Sequence, residues 1–162
     1  AIVPGTFLFA NVVEYLAHRF LMHVPRPVVR FLYTRHTLQH HRFFIGDYLA
    51  AESARDWKIV MFPPALLFFF LGCIGLPLSL AISALSNENL GALFGATAAG
   101  YFLIYECCHL AWHQPEHSLV ARLPLVRRFC ALHRAHHLDD TRGFNVTFPI
   151  ADTLFRTTPR AI

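Results

Sequence analysis

The sequence predicts an all-α integral membrane protein, on the strength of two long uncharged runs and of basic residues confined to two blocks. At 162 residues the chain has the length of one domain, yet 55% of it is hydrophobic and sixteen residues are Phe, more than a globule of this size can pack inside. From Ile59 to Ala84 the run "IVMFPPALLFFFLGCIGLPLSLAISA" carries no charge over 26 residues. About 20 apolar residues cross a bilayer, so this run is expected to be a transmembrane helix. Leu90 to Tyr105, "LGALFGATAAGYFLIY", is a second uncharged run, and its small residues Gly91, Gly95, Ala96, Ala99 and Gly100 would let another helix approach closely. The polar link "LSNEN" between the runs makes the pair a membrane hairpin.

The amino-terminal stretch "IVPGTFLFANVVEYLA" is apolar apart from Asn11 and Glu14 and is counted as the third span. Its sixteen residues reach only about 24 Å as a helix, barely enough alone. It has neither the basic leader nor the small-residue cleavage pattern of a signal peptide. The start at Ala1 instead of Met points to a longer native protein with further membrane sequence upstream. The whole chain, residues 1–162, is expected to form one membrane domain.

All fourteen Lys and Arg residues fall between Arg19 and Lys58 or between Arg122 and Arg160. The positive-inside rule puts both blocks in the cytoplasm and "LSNEN" on the far side. The net charge of +4 then reflects topology and anionic headgroups, and no nucleic-acid-binding motif accompanies it.

Ten of the eleven histidines form four groups: His18 and His23 in "HRFLMH", His36, His40 and His41 in "HTLQHH", His109 and His113 in "HLAWH", and His133, His136 and His137 in "HRAHH". Every group lies in a segment that the Lys and Arg distribution assigns to the cytoplasmic side, although that assignment makes no use of histidine. On α-helices, His109 with His113, His36 with His40, and His133 with His136 and His137 share faces. His41 is expected to point away from its pair. His18 and His23, about 140° apart, would serve two metals or straddle a helix end. Such mixed directions suit two adjacent metal ions better than one. Crowded neutral imidazoles beside lipid would otherwise need a hydrogen-bond partner for every ring nitrogen. All-imidazole sites suit Zn, Cu, Fe or Ni, so ligand chemistry alone leaves the metal open. His117 belongs to no group, and the reading as a non-ligand is preferred for it.

In order and spacing the four clusters resemble the fatty acid hydroxylase/sterol desaturase superfamily of membrane di-iron oxygenases. "EYLAHRFLMH" resembles its first motif, "GYFLIYECCHLAWH" its last transmembrane helix, and "HRAHHLDDTRGFNVTFPIADTLFRT" its carboxy-terminal signature. The resemblance implies a helical membrane fold with a cytoplasmic cap holding the di-metal centre over a hydrophobic substrate tunnel. It implies two iron ions, with zinc able to replace them in a purified sample, and all ten clustered histidines as ligands. The implied chemistry is O2 cleavage, hydrogen abstraction from an unactivated C–H bond and return of a hydroxyl group. The substrate would be a membrane lipid of fatty acyl or sphingolipid type. Electrons would come from a cytochrome b5-like or ferredoxin-type donor, because the chain has no haem, flavin or iron–sulfur pattern. A desaturase or a sterol or carotenoid oxidase is the alternative on the same centre. Four departures leave the ten histidines in place: three residues precede the paired histidines of the second cluster where two are usual, Gln114 stands where a further histidine often follows, "GFNVT" inverts the usual order of Asn and Gly, and Arg156 replaces a glycine.

Metal-bound histidines generally donate their second N–H to a carboxylate or carbonyl. Glu14, Glu106, Asp139, Asp140 and Asp152 are the candidates, with Asp139 and Asp140 read first as a solvated helix end. Trp57 and Trp112 read as interfacial anchors. Cys73, Cys107, Cys108 and Cys130 show no CxxC spacing and read as reduced structural thiols. A metal transporter or sensor is the competing class, but between Ile59 and Tyr105 there is no histidine and no acid except Glu88, where transport needs ionisable ligands at mid-membrane.

Overall fold

The computed structural model of the protein describes residues 1–159 except Asp47; Arg160, the last residue of the second basic block, lies outside the described residues. Among the described residues the chain is helical, with a lone antiparallel bridge between Ile45 and Tyr48 and no strand. Helix α1 (Ile2–Ala17) runs straight into a π-helical turn (His18–Met22). A 3-10 turn (Pro27–Val29) leads to α2 (Arg30–Tyr33), a second π-helical stretch (Thr34–His40) and α3 (His41–Phe43).

Two helical runs are long and apolar enough to cross a membrane, Ala54–Leu85 and Glu88–Trp112, and most of their residues lie outside the protein's own core. A core helix of a soluble protein would be buried instead. The first run is not one uniform helix: α4 (Ala54–Val60) stops before Pro63 and Pro64, α5 (Pro64–Phe70) restarts with proline in its first turn, and a π-helical turn (Leu71–Gly75) joins it to α6 (Leu76–Leu85). Proline lacks the N–H that would continue the ladder, which accounts for the break at 61–63. The groups freed there are satisfied by side chains. Phe62 N–H donates to Glu106 Oε2 at 3.1 Å, and the Arg35 guanidinium donates to the carbonyls of Lys58 and Met61. Both helical runs extend past the hydropathy limits of the sequence, because backbone hydrogen bonding continues through polar residues at each end.

Helix α7 (Glu88–Trp112) is capped by Asn87, whose Oδ1 accepts from Leu90 N at 3.0 Å. It returns against α6 as the expected hairpin. At Gly91 the approach is so close that a Cβ would sit 1.9 Å from Ser83 Oγ and 2.4 Å from the Ser79 carbonyl. Ser79 Oγ donates to Gly91 O at 2.7 Å. Gly95 shares the contact, whereas Gly100 faces open space, so only part of the small-residue stripe is used. Helix α8 (Pro124–Leu138) lies against the carboxy-terminal end of α7, with Phe129 tilted on Trp112. The short α9 (Ile150–Leu154) packs on α1.

Trp112 is buried, not an anchor: its Nε1 donates to Val146 O at 2.7 Å. Trp57 is exposed, as an anchor would be. The four cysteines are unpaired. Gly91→Ala is expected to lower stability by about 1–3 kcal/mol through overpacking of α6 on α7, read as a lower thermal midpoint in detergent, while Gly100→Ala leaves the midpoint unchanged.

Candidate metal centre

The ten clustered histidines converge on one volume and divide into two adjoining sets. One ring nitrogen from each of His18, His23, His36, His41 and His136 lies within 4.8 Å of the others, and the same holds for His40, His113, His133 and His137. The sets touch where the rings of His41 and His137 stack at 4.3 Å. His109 stands at the edge of the second set, its Nε2 3.2 Å from His40 Nε2. His117 is exposed and away from both.

The membership differs from the expected helix faces, and local backbone explains most of the difference. In a π-helical turn the hydrogen bond runs from residue i+5 to residue i, so residues five apart stack. His23 N–H bonds His18 O at 3.2 Å, and His41 N–H bonds His36 O. His18 and His23 therefore join one set instead of serving two ions, and His41 joins His36 instead of pointing away. His40 passes to the other set. Thr37 Oγ1 donates to Met22 O at 2.7 Å and ties the two π-helical segments together. On α8 the three histidines do not converge on one point: His133 and His137 enter one set and His136 the other. His109 and His113 keep their expected common face.

Backbone carbonyls, not the candidate carboxylates, hold the outer ring nitrogen of five of the ten histidines. Nδ1 of His18 meets Phe144 O at 2.6 Å, His136 meets Arg142 O at 2.7 Å and His137 meets Phe44 O at 3.0 Å. His113 meets Leu49 O at 2.7 Å and His40 meets Ile59 O at 3.2 Å. A carbonyl only accepts, so in each of these five rings Nδ1 carries the proton and Nε2 offers a lone pair. Two of those lone pairs point inward at one another: Nε2 of His40 and Nε2 of His137 are 3.2 Å apart. Facing lone pairs at that separation repel unless a cation lies between them. Protons are poor candidates. Burial, reinforced by neighbouring imidazoles, drives His36, His40, His133 and His137 well below the ordinary histidine range. Burial, with the Arg134 charge adding to it, outweighs the Leu49 carbonyl at His113 and lowers it to about 4. A divalent metal fits the donor set, and its all-nitrogen character suits Fe, Zn, Cu or Ni.

The acidic residues act one step further out. Asp152 accepts from Phe144 N at 3.0 Å, Asn145 N at 2.7 Å and Thr157 Oγ1 at 2.7 Å, and so fixes the turn whose carbonyls hold His18 and His136. Gly143 lies in this turn at φ +77°, where a Cβ would meet Pro159 at 3.0 Å and His136 Cβ at 3.3 Å. Arg156 adopts φ +58°, a left-handed conformation that favours glycine. Glu14 does not reach His18 and binds Val146 N and Thr147 N instead, at 2.5 and 3.0 Å. Glu106 serves Phe62 rather than His109. Among the described residues Asp140 is the one acid beside a cluster ring, 3.5 Å from His23 Nδ1, while Asp139 caps Thr141.

An apolar cleft of about 100 Å³ lies between α1, the α5–α6 run and α7, lined by Phe9, Val13, Phe70, Ile74, Phe94 and Phe102 among others. Met22, Phe62 and Tyr105 line its metal-side end. Tyr105 stacks parallel on Phe62 at 5.6 Å and lies 5.7 Å from the His109 ring, so the cleft abuts the histidines.

A sequence model of the fatty acid hydroxylase family matches residues 3–157. The chain belongs to the fatty acid hydroxylase family. The match spans both histidine sets and the cleft. No individual curated protein and no solved structure matches the chain. The family is one of oxidoreductases acting on lipids, and the paired histidine sets of this chain have the geometry to hold metal ions.

Two outcomes follow from this geometry. His136→Ala and His137→Ala remove members of different sets, and each is expected to lower metal content measured by elemental analysis; full metal content with either change refutes that residue's place. In the unfolded chain histidines protonate near pH 6.5, while the folded His113 and His23 resist protonation down to about 4 and about 3. The unfolded state thus binds more protons below pH 6.5, and stability should fall as pH drops through that window, seen as a declining thermal midpoint of the metal-free protein.

Proposed function

We propose that the chain is an O2-dependent hydroxylase that inserts oxygen into a C–H bond of a membrane lipid of fatty acyl or sphingolipid type. The observation that carries this reading is the junction of two buried imidazole sets with an apolar cleft. Residues 1–162 would act as one membrane unit with three spans, α1 being the third, and with a helical cap on the cytoplasmic side. The two blocks of Lys and Arg support that side.

Two iron ions would be held by His18, His23, His36, His41 and His136 and by His40, His113, His133 and His137, with His109 completing the second site. Iron bound there would supply O2 cleavage and abstraction of hydrogen from an unactivated C–H bond. The chain's own contribution is position and dryness. Five carbonyls keep the Nδ1 protons and leave Nε2 free to ligate. The aromatic wall of the cleft takes an acyl chain sideways from the bilayer and excludes water from its path. Tyr105 and Phe62 form the boundary between cleft and histidines, and so decide which carbon comes to rest beside them. Electrons are supplied by a cytochrome b5-like or ferredoxin-type partner.

The test is mass spectrometry of membrane lipids incubated with the iron-loaded protein, O2 and a reducing system. A gain of one oxygen is expected, and it should vanish with His136→Ala or His137→Ala. Loss of two hydrogens replaces the hydroxylase reading with a desaturase. No change in any lipid, with metal bound and reductant present, overturns both.

A further inference from the structure

The polar residues Asn11 and Glu14 stand in an otherwise apolar α1, and neither ligates the metal centre. Both turn their side chains to one segment, residues 144–151, which is non-helical up to Pro149 and then enters α9. Asn11 Nδ2 donates to Phe148 O at 2.8 Å, Asn11 Oδ1 accepts from Ala151 N at 3.0 Å, and the Asn11 carbonyl accepts from Asn145 Nδ2 at 2.9 Å. Glu14 accepts from Val146 N, Thr147 N and Thr147 Oγ1, and also from the Tyr101 hydroxyl. Trp112 and His18 take up the carbonyls of Val146 and Phe144. A loop in water needs no such service, because water satisfies its backbone. In hydrocarbon every backbone group must find a partner within the protein.

The depth of the segment agrees. Phe148 packs on Phe7 at 5.8 Å, and Phe7 packs on Tyr101 at 5.1 Å. Along helical axes Phe7 lies about 16 Å from His18 and Tyr101 about 12 Å from His109, in both cases away from the metal centre and toward the bilayer. Between Arg142 and Arg156 the one charged side chain is Asp152, which is buried. The outward side chains are Phe148, Ile150, Leu154 and Phe155, large, apolar and exposed, with Leu154 at 69%, together with Thr153, whose hydroxyl is satisfied by the Pro149 carbonyl at 2.6 Å. They continue the exposed apolar surface of α1 and α7, which carries Leu8, Leu103 and Ile104.

We propose that residues 144–155 form a re-entrant element of the inner leaflet, sunk beside α1 and α7 and presenting Phe148, Ile150, Leu154 and Phe155 to lipid acyl chains. This rests on the proposed membrane embedding of α1 and α7. Asn11 and Glu14, both braced by the Tyr101 hydroxyl, are then backbone caps that let an irregular segment lie at membrane depth, and the turn that holds His18 and His136 is anchored from within the bilayer.

The experiment uses the full chain in phosphatidylcholine–phosphatidylglycerol vesicles, with Cys73, Cys107, Cys108 and Cys130 replaced by Ser. Single spin labels are placed at Ile150→Cys and Leu154→Cys, with Leu103→Cys as the lipid reference and Glu116→Cys as the water reference. Collision with dissolved oxygen and with a water-soluble nickel chelate is measured at each. The proposal expects Ile150 and Leu154 to match Leu103, with loss of nickel contact and retention of oxygen contact. Nickel contact at Ile150 and Leu154 equal to that at Glu116, with Leu103 still shielded, overturns the proposal and spares the membrane reading. Shielding from both probes overturns it in favour of a second copy of the chain covering this face. Nickel contact at Leu103 itself overturns the membrane reading and the proposal together. Should the Ser background fail to fold, Ile150→Trp in the native chain takes its place: quenching by brominated phosphatidylcholine beyond that of Trp57 and Trp112 supports the proposal, and its absence overturns it.

Discussion

Five imidazole rings are held with their protonated nitrogen on a backbone carbonyl and their lone pair facing inward, and most of the architecture can be understood as the means of keeping them so. Carbonyls from five places in the chain, at Phe44, Leu49, Ile59, Arg142 and Phe144, supply the acceptors. Each fixes a tautomer, and a fixed tautomer makes Nε2 a ligand instead of a donor. Without a cation the facing lone pairs repel, and burial denies them protons. The same desolvation that makes the rings costly to protonate leaves their Nε2 lone pairs free to ligate a metal.

Local irregularity in the helices serves this end. A regular α-helix would turn His18 away from His23 and His36 away from His41. Two π-helical segments, joined through Thr37 and Met22, bring each pair to one side, so nitrogens from the first two clusters meet in a single set. The proline break at 61–63 works in a similar way. It directs Ile59 O at His40 and leaves Phe62 at the boundary of the cleft, while Glu106 and Arg35 satisfy the groups that the break exposes.

The carboxylates illustrate how a second layer operates at a distance. Asp152 touches no histidine, yet it sets the turn from which two of the five carbonyls point. Gly143 is required in that turn by its positive φ and by the proximity of Pro159 and His136. Glu14 and Asn11 secure the following residues against α1. A substitution in any of these would reach the centre through the backbone.

The helical class, the hairpin and the grouping of histidines into four clusters were legible in the sequence, because they depend on hydropathy, on charge distribution and on side-chain type, all of which are local. The carboxy-terminal signature and the cluster order also carried the family. Which histidines share a set was not legible. That division depends on π-helical turns that no periodicity announces, and on contacts between residues as far apart in the chain as His18 and His136, whose rings lie 4.7 Å from each other. Nor could the sequence assign carbonyls as partners of the outer nitrogens, since every residue carries one and only the folded path selects which of them faces a ring. Chemistry of side chains was thus written in the order of residues, and the direction of each lone pair was decided by the tertiary structure, because direction belongs to the backbone around a ring and not to the ring itself.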